Sequence, residues 1–194
     1  MDAYSRLRRS WAPLSSESVR QHGQIIGLAF PKFCVFVLVL LPVACGAQSV
    51  EYFRLPTIDM EPTIQKGEVV EVLVGVTLAE SGDVVVFRSP LDPASRLLKR
   101  VVAVAGDIVR IEDKRLFVND EVVSEPYAQF IDSQVYPANL TVLEQYRRRD
   151  QLESLEVPVG TVFVLGDNRD QSIDSRMFGP LQLEAIFGTV VAKE

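Results

Sequence analysis

The longest apolar run in the sequence covers residues 25–45, and it is long enough to cross a lipid bilayer as a helix. A membrane-spanning helix needs about 20 mostly apolar residues. Pro31 and Pro42 interrupt the helical hydrogen bonding of this run, and Lys32 adds a charge near its start. An ammonium at that end can extend to the lipid headgroups. The pattern therefore predicts one transmembrane helix over residues 25–45.

The polar segment before this run, residues 1–24, is rich in arginine, whereas the acidic excess of the chain follows the run. Its arginines are Arg6, Arg8, Arg9 and Arg20. Positively charged flanks of a membrane span stay on the cytoplasmic side. We therefore expect a cytoplasmic tail over residues 1–24, a lipid bilayer as partner, and a main domain on the outer (periplasmic or extracellular) face of the cell membrane. A cleaved signal peptide, or a lipoprotein modified at Cys45, is the alternative interpretation.

Residues 50–194 alternate short apolar runs with turn residues such as Gly, Asp, Asn and Pro. Runs of this length, rich in Val, Ile and Phe, are typical of β-strands. Only residues 138–153, where Leu140, Leu143 and Tyr146 recur among charges, suggest a helix or an exposed connection. We therefore predict a mainly β fold, as a β-barrel-like domain preceded by one transmembrane helix. The predicted strands cover residues 69–74, 84–87, 100–104, 108–111, 116–118, 162–165 and 186–191.

The composition excludes several classes of function. The formal net charge is −6, so the surface has no reason to prefer nucleic acid. The single histidine, His22, lies outside the predicted β domain, which excludes a Ser-His-Asp triad there and disfavours a histidine metal site. Cys34 and Cys45 are the only cysteines, and both belong to the apolar run. We therefore expect no disulfide framework, no metal and no cofactor.

Three blocks of unusual composition stand out from the β pattern: residues 56–63, 99–107 and 166–176. The third block packs acids and arginines around Gly, Asn and Ser directly after an apolar strand. It is either an exposed loop or a buried polar scaffold beside an active site. Lys99 follows two leucines, and two interpretations are open for it. It is either a strand-edge lysine whose ammonium extends to water, or a buried lysine that loses its proton more easily.

The three blocks, in this order after one apolar span, resemble the motifs of the type I signal peptidases. Members of that family are serine endopeptidases with a Ser/Lys dyad that remove leader peptides from exported proteins. The similarity runs from about Phe53 to the end of the chain and includes residues 82–87 and 164–170. The resemblance implies a β-rich catalytic domain that lies against the outer membrane face, with leader peptides or exported polypeptides as partners.

The resemblance also implies roles for individual residues. Lys99 matches the general base of the family, and Ser172 matches the serine that orients this lysine. Asp174 and Arg176 match a pair of residues that braces the site. Thr57 matches a hydroxyl residue that helps to form the oxyanion hole. In the same register, Met60, Pro62 and Thr63 match the rest of the nucleophile motif.

The nucleophile position itself is occupied by Asp59 in this sequence. The family mechanism needs a hydroxyl that attacks a carbonyl after it gives its proton to a neutral lysine, and an ionised carboxylate has no such proton. Asp59 beside Lys99 would also form an ion pair, which favours the charged lysine and removes the base. Ala103 and Ala105 replace the Gly and Pro that are usual in the family. We therefore expect absent or very low peptidase activity.

Two other functions are open on the sequence. The first is an active leader peptidase that uses an unorthodox nucleophile, or an active parent protein that was deliberately changed at position 59. The second is a non-catalytic envelope lipoprotein or an export or assembly factor that binds exported chains. Cleavage of a leader peptide would separate the first alternative from an inactive copy, and lipid attached to Cys45 would favour the second.

Overall fold

β-Strands dominate the residues that the computed structural model describes, which are 49–75, 78–137 and 148–193. The mainly β class predicted from the sequence is therefore confirmed. In these ranges the helical structure is α1 (Ser175–Phe178) and 3₁₀ turns at Arg169–Gln171 and Leu183–Ala185. The strands are β1 (Ser49–Arg54), β2 (Val69–Val74), β3 (Val84–Arg88), β4 (Arg96–Val104), β5 (Ile108–Glu112), β6 (Arg115–Val118), β7 (Glu121–Val122), β8 (Leu152–Glu156), β9 (Thr161–Leu165), β10 (Leu181–Gln182) and β11 (Ile186–Lys193).

The strands divide between two antiparallel sheets. The larger sheet has the order β1-β2-β11-β3-β4-β9-β10, and the smaller one has the order β7-β6-β5-β8. In the larger sheet β4 pairs with β9, so that Arg100 lies opposite Leu165 and Val101 opposite Val164. This pairing brings the start of the second polar block next to the start of the third. The two blocks are far apart in sequence and become neighbours because their strands share one ladder.

The core explains why these segments form strands. All five residues of β9 are buried, and the central part of β4 is buried as well, as expected for strands covered on both faces. Met60, fully buried beside Leu55 and Ile64, anchors the first polar block to the larger sheet. Burial of a side chain of this size contributes about 1.5–3 kcal/mol. Asp59 is therefore held in place by its apolar neighbour in the sequence.

Two sequence-based expectations differ from the structure. The pattern predicted a strand over residues 100–104, but β4 already begins at Arg96, and Lys99 lies inside the strand rather than at its start. The helix or exposed connection suggested over 138–153 is wrong at its end, because Leu152 and Glu153 belong to β8. Leu152 packs in the core of the smaller sheet, and this tertiary contact overrides the local helical pattern. Residues 138–147 lie outside the described residues.

The predicted cytoplasmic tail and transmembrane helix, residues 1–24 and 25–45, also lie outside the described residues. Within the part of the chain that is described, no helix combines the length and the apolar character needed to cross a membrane.

Gly166 marks the closest approach between the polar blocks. A Cβ atom added at this residue would lie 2.2 Å from Ser172 Oγ and 2.6 Å from the carbonyl oxygen of Asp59. Real Cβ atoms do not approach other heavy atoms this closely, and the backbone oxygen has no freedom to move aside. Glycine is therefore required at position 166 by space.

We expect Gly166→Ala to lower the free energy of unfolding by about 1–3 kcal/mol, because the added methyl group overpacks the site. Urea unfolding of the full chain in detergent measures this change. Val159→Ala, a truncation on the protein surface, serves as the control and should change stability by less than about 0.5 kcal/mol. Equal stability of Gly166→Ala and the parent chain would contradict the close approach.

Candidate functional site

The centre of the site is a buried ion pair between Lys99 and Asp59. Lys99 has no exposed surface, and Asp59 is only 6 % exposed. The Lys99 ammonium donates to Asp59 Oδ2 and, at 2.8 Å, to the carbonyl oxygen of Leu98. Of the two interpretations of Lys99, the structure therefore shows the buried one. A buried ammonium needs a counterion, and the carboxylate of Asp59 supplies it.

The hydroxyl of Thr57 completes this pair on the solvent side. Thr57 is exposed, and its Oγ1 donates a hydrogen bond to Asp59 Oδ1. Each oxygen of the Asp59 carboxylate is thus engaged, one by an ammonium and the other by a hydroxyl. The three side chains form a line from the exposed surface to the buried strand β4.

Backbone contacts from the third polar block hold the Asp59 segment in place. The amide of Asn168 donates to the carbonyl oxygen of Asp59 at 3.1 Å. The side-chain Nδ2 of Asn168 donates to the carbonyl oxygen of Ile58, also at 3.1 Å. One residue of the third block therefore clamps two successive carbonyls of the first.

Ser172 lies close to this centre but does not contact Lys99 through a hydrogen bond. Its Oγ is buried, and no hydrogen-bond partner for it is found among the described residues. In the same part of the chain, the hydrogen bonds of the Lys99 ammonium go to Asp59 and Leu98. The structure thus places Ser172 near the site, but not in the lysine-orienting contact that the family resemblance implies.

Asp174 and Arg176 form a buried, two-fold hydrogen-bonded pair. Arg176 Nε donates to Asp174 Oδ1 at 2.8 Å, and its NH2 donates to Oδ2 at 2.7 Å. The Gly166 amide also donates to Asp174 Oδ2, at 3.1 Å. Burial by itself would raise the pKa of Asp174, but the charge and hydrogen bonds of Arg176 and the Gly166 amide hold this pKa below its ordinary value. The nearby Ser172 hydroxyl contributes weakly to the same lowering, although it does not reach good hydrogen-bond geometry.

A second arginine–carboxylate pair, which the sequence did not reveal, joins all three polar blocks. Arg100 donates to both carboxylate oxygens of Asp167, at 2.9 and 2.7 Å, and Thr63 donates to Asp167 Oδ2 at 2.5 Å. Burial lowers the pKa of Arg100, but the hydrogen bond and charge of Asp167 outweigh this effect and raise it. All three residues belong to the blocks that the sequence singled out, yet nothing local in the sequence indicates that they pair.

A third pair connects the site to a loop outside the blocks. Arg169 donates to both carboxylate oxygens of Glu125, at 2.9 and 2.5 Å, and to the carbonyl oxygen of Gly166 at 2.9 Å. Burial together with the negative charge of Glu125 raises the pKa of Tyr127 to about 12. The sequence did not identify Glu125 as a site residue, because an isolated acidic residue before a proline is typical of an ordinary loop.

The acids of this region are therefore satisfied by arginine, lysine and backbone amides. Within the described ranges, no group of three or more His, Cys, Asp or Glu side chains is arranged to hold a metal ion. The arrangement is suited to acyl chemistry by side-chain hydroxyl, carboxylate and amine groups.

Comparison with known proteins gives consistent matches. The family model described as signal peptidase, peptidase S26, matches residues 28–193. Signal peptidase I of Pseudomonas fluorescens is 34 % identical over 169 residues, which cover 73 % of this chain and 60 % of that protein. Signal peptidase I V of Bacillus subtilis (strain 168) is 32 % identical over 143 residues, with coverage of 71 % and 82 %.

Two further matches are a plant protein and a solved structure. The chloroplastic thylakoidal processing peptidase 1 of Arabidopsis thaliana is 33 % identical over 169 residues, which cover 80 % of this chain but only 45 % of that protein. A crystal structure of a signal peptidase I from Enterococcus faecalis V583 is 29 % identical, with a TM-score of 0.45 and coverage of 59 % of this chain and 97 % of that one.

The chain spans only 60 % of the length of the P. fluorescens relative, but 82 % of that of the B. subtilis relative. The family match covers nearly all of the sequence, including the three polar blocks and every residue of the site. The chain belongs to the signal peptidase family, peptidase S26.

Proposed function

We propose that this protein binds the leader peptides of exported polypeptides on the outer membrane face and cleaves them very slowly or not at all. The observation that carries the proposal is the buried ion pair between Asp59 and Lys99. The family match and its relatives named signal peptidase support the leader peptide as substrate.

The ion pair opposes the family reaction in two ways. A lysine acts as a general base only in its neutral form, and a carboxylate in contact with it stabilises the charged form. An ionised aspartate also has no proton to release when it attacks. Acyl transfer to Asp59 would give a mixed anhydride, which is a poor intermediate to reach from an amide. Base and nucleophile are therefore both impaired by the same side chain.

The rest of the machinery is retained, which is why we propose a nearly inactive enzyme rather than an unrelated binding protein. We assign Lys99 to the position of the family's general base, Asp59 to the nucleophile position, Ser172 as a hydroxyl close to them, and Asp174 with Arg176 as the brace. The brace acts through Gly166, whose amide contacts Asp174 and whose Cα faces Ser172 and Asp59. A hydroxyl in place of the Asp59 carboxylate would then meet a site that is otherwise built.

We expect Asp59→Ser to increase leader-peptide cleavage by about 100-fold or more over the parent chain. The serine supplies a hydroxyl and removes the carboxylate that binds Lys99, and general base catalysis typically contributes 10²–10⁴-fold. The measurement is the rate of cleavage of a synthetic leader peptide with small residues before the scissile bond, by the full chain in detergent.

Asp59→Ser combined with Lys99→Ala is the matched control and should return cleavage to the level of the parent chain. Two results would contradict the proposal. One is a parent chain that already turns over at a rate typical of enzymes, on the order of 1–1000 per second. The other is a folded Asp59→Ser variant that binds the peptide but shows no gain in cleavage.

Asp174 provides a test of the brace through pH. Because its pKa is lowered in the folded protein, Asp174 contributes stability above the ordinary aspartate pKa and loses it as pH falls through the folded value. We expect Asp174→Asn to cost about 3–5 kcal/mol near neutral pH, since Arg176 is left buried without its partner. The variant should also lose less stability than the parent as pH falls from about 5, just above the ordinary aspartate pKa, into the more acidic range.

Urea unfolding at several pH values measures both effects. Asp120→Asn, which changes an exposed carboxyl, is the control and should follow the pH dependence of the parent chain. If Asp174→Asn had the same acid dependence as the parent, the bracing role would be wrong.

We also propose that residues 1–24 are cytoplasmic and that residues 25–45 span the membrane once, which places the β domain outside. The arginines before the apolar run support this orientation. Protease added to intact spheroplasts that express the chain should degrade the β domain and leave a cytoplasmic marker protein intact. Protection of the domain until detergent is added would show the opposite topology.

A further inference from the structure

The hydrogen bond between Thr57 and Asp59 gives the site an arrangement that the family mechanism does not use. We propose that Thr57 is the nucleophile of the slow reaction in this chain, with Asp59 as its general base. The inference rests on the proposed function, because it concerns how this copy attacks a leader peptide. It assigns to Asp59 a role that a serine at this position could not have.

The Thr57 hydroxyl has a single proton, and Asp59 accepts it in a hydrogen bond. A hydroxyl can donate only one hydrogen bond, and here it donates to Asp59 Oδ1. While this bond lasts, Thr57 has no proton left to stabilise an oxyanion. Its oxygen lone pairs, however, remain available, and the residue is exposed to a substrate. The geometry thus disfavours Thr57 as an oxyanion donor and favours it as an attacking group.

Asp59 has the position of a general base for the Thr57 hydroxyl. An activated nucleophile needs a base within hydrogen-bond reach, and the base needs a third group to orient it. Asp59 is the base in contact with Thr57, and Lys99 binds the opposite carboxylate oxygen. Lys99 is itself held by the carbonyl oxygen of Leu98 at 2.8 Å. Nucleophile, base and orienting group therefore follow one another in a fixed order.

The backbone that carries Thr57 and Asp59 is held in place by Asn168. Asn168 donates to the carbonyl oxygens of Ile58 and Asp59, each at 3.1 Å. These two hydrogen bonds hold the backbone between Thr57 and Asp59 in place. In the described part of the chain, the amides of Ile58 and Asp59 make no hydrogen bond of their own. These two amides follow Thr57 directly in the sequence, and in the proposed reaction they donate to the oxyanion that forms when Thr57 attacks the carbonyl carbon.

The reaction balances without any component beyond substrate and water. Thr57 Oγ1 forms a bond to the scissile carbonyl carbon while its proton moves to Asp59 Oδ1. The carbon–nitrogen bond then breaks, and the leaving amine takes this proton from Asp59. Water attacks the resulting threonine ester, gives a proton to Asp59, and releases the leader peptide as its acid. The proton then returns to Thr57.

The same contacts explain why the reaction is slow. One oxygen of the Asp59 carboxylate is bound by the Lys99 ammonium, so only the other oxygen is available to the Thr57 hydroxyl. Thr57 also lies two residues from the position of the family's nucleophile. A substrate carbonyl bound for attack from that position is therefore misplaced for attack by Thr57. Small misplacements of this kind can cost on the order of a hundredfold in rate.

The test is a covalent intermediate on the full chain in detergent. The probe is a leader peptide that ends in a small residue activated as its p-nitrophenyl ester, which acylates an activated hydroxyl and releases nitrophenolate. We expect one acyl group per chain, located on Thr57 by peptide mapping with mass spectrometry. Thr57→Val and Asp59→Asn should each slow this acylation by about 100-fold, the loss expected for a missing nucleophile or general base.

Thr161→Val, a matched change at the far end of β9, should leave the acylation of Thr57 intact, which excludes a general effect of such substitutions. In the Asp59→Ser background, Thr57→Val should reduce peptide cleavage without abolishing it, because the serine then attacks and Thr57 only assists. Acylation of Lys99, absence of an adduct, or an adduct that survives Thr57→Val would overturn the inference. If any of these results came together with a gain of cleavage in Asp59→Ser, the proposed function would still hold. If Asp59→Ser showed no gain of cleavage, the proposed function itself would be wrong.

Discussion

The contact between the Lys99 ammonium and the Asp59 carboxylate is the constraint around which the site is arranged. A fully buried charge carries a desolvation penalty of several kcal/mol, so the fold must supply a partner at bonding distance. That requirement ties the middle of β4 to the segment after β1, which Met60 anchors in the core. Removal of one partner alone would leave the other buried and unpaired. The ion pair therefore fixes these two segments to each other at the centre of the site.

Around this centre, three arginine–carboxylate pairs convert distant segments into one scaffold. Arg100 with Asp167 joins β4 to the segment after β9, Arg169 with Glu125 joins that segment to a loop, and Arg176 with Asp174 closes the start of α1. Each pair is two-fold hydrogen-bonded, a geometry that adds direction as well as energy. Surface ion pairs contribute little to stability, but these are buried and share partners with the backbone. The network therefore keeps the polar blocks in register while the apolar cores on either side set the strands.

The chemistry of the site follows from which atom holds each proton. In a serine/lysine site a neutral amine accepts the proton of a hydroxyl. In this chain the amine is paired with a carboxylate, and the carboxylate in turn accepts a hydrogen bond from the Thr57 hydroxyl. In the reaction that we propose for Thr57, Asp59 is therefore the base and Lys99 is the group that orients it.

Much of this protein was determined by local features of the sequence. Short apolar runs between turn residues are sufficient to indicate strands, because side-chain alternation and turn chemistry are local properties. The three polar blocks were likewise visible, as was the carboxylate at position 59, since their composition departs from the strands around them. The tertiary structure alone decided which of these groups touch. Arg100 and Asp167 are 67 residues apart, and Arg169 and Glu125 are 44 apart, so their pairing depends on the order of strands in the sheet. Strand order and register arise from packing of the whole core, which no local pattern encodes. For the same reason the sequence could not show that the Thr57 hydroxyl donates a hydrogen bond to Asp59, or that Ser172 Oγ is buried close to Gly166 without a hydrogen-bond partner among the described residues.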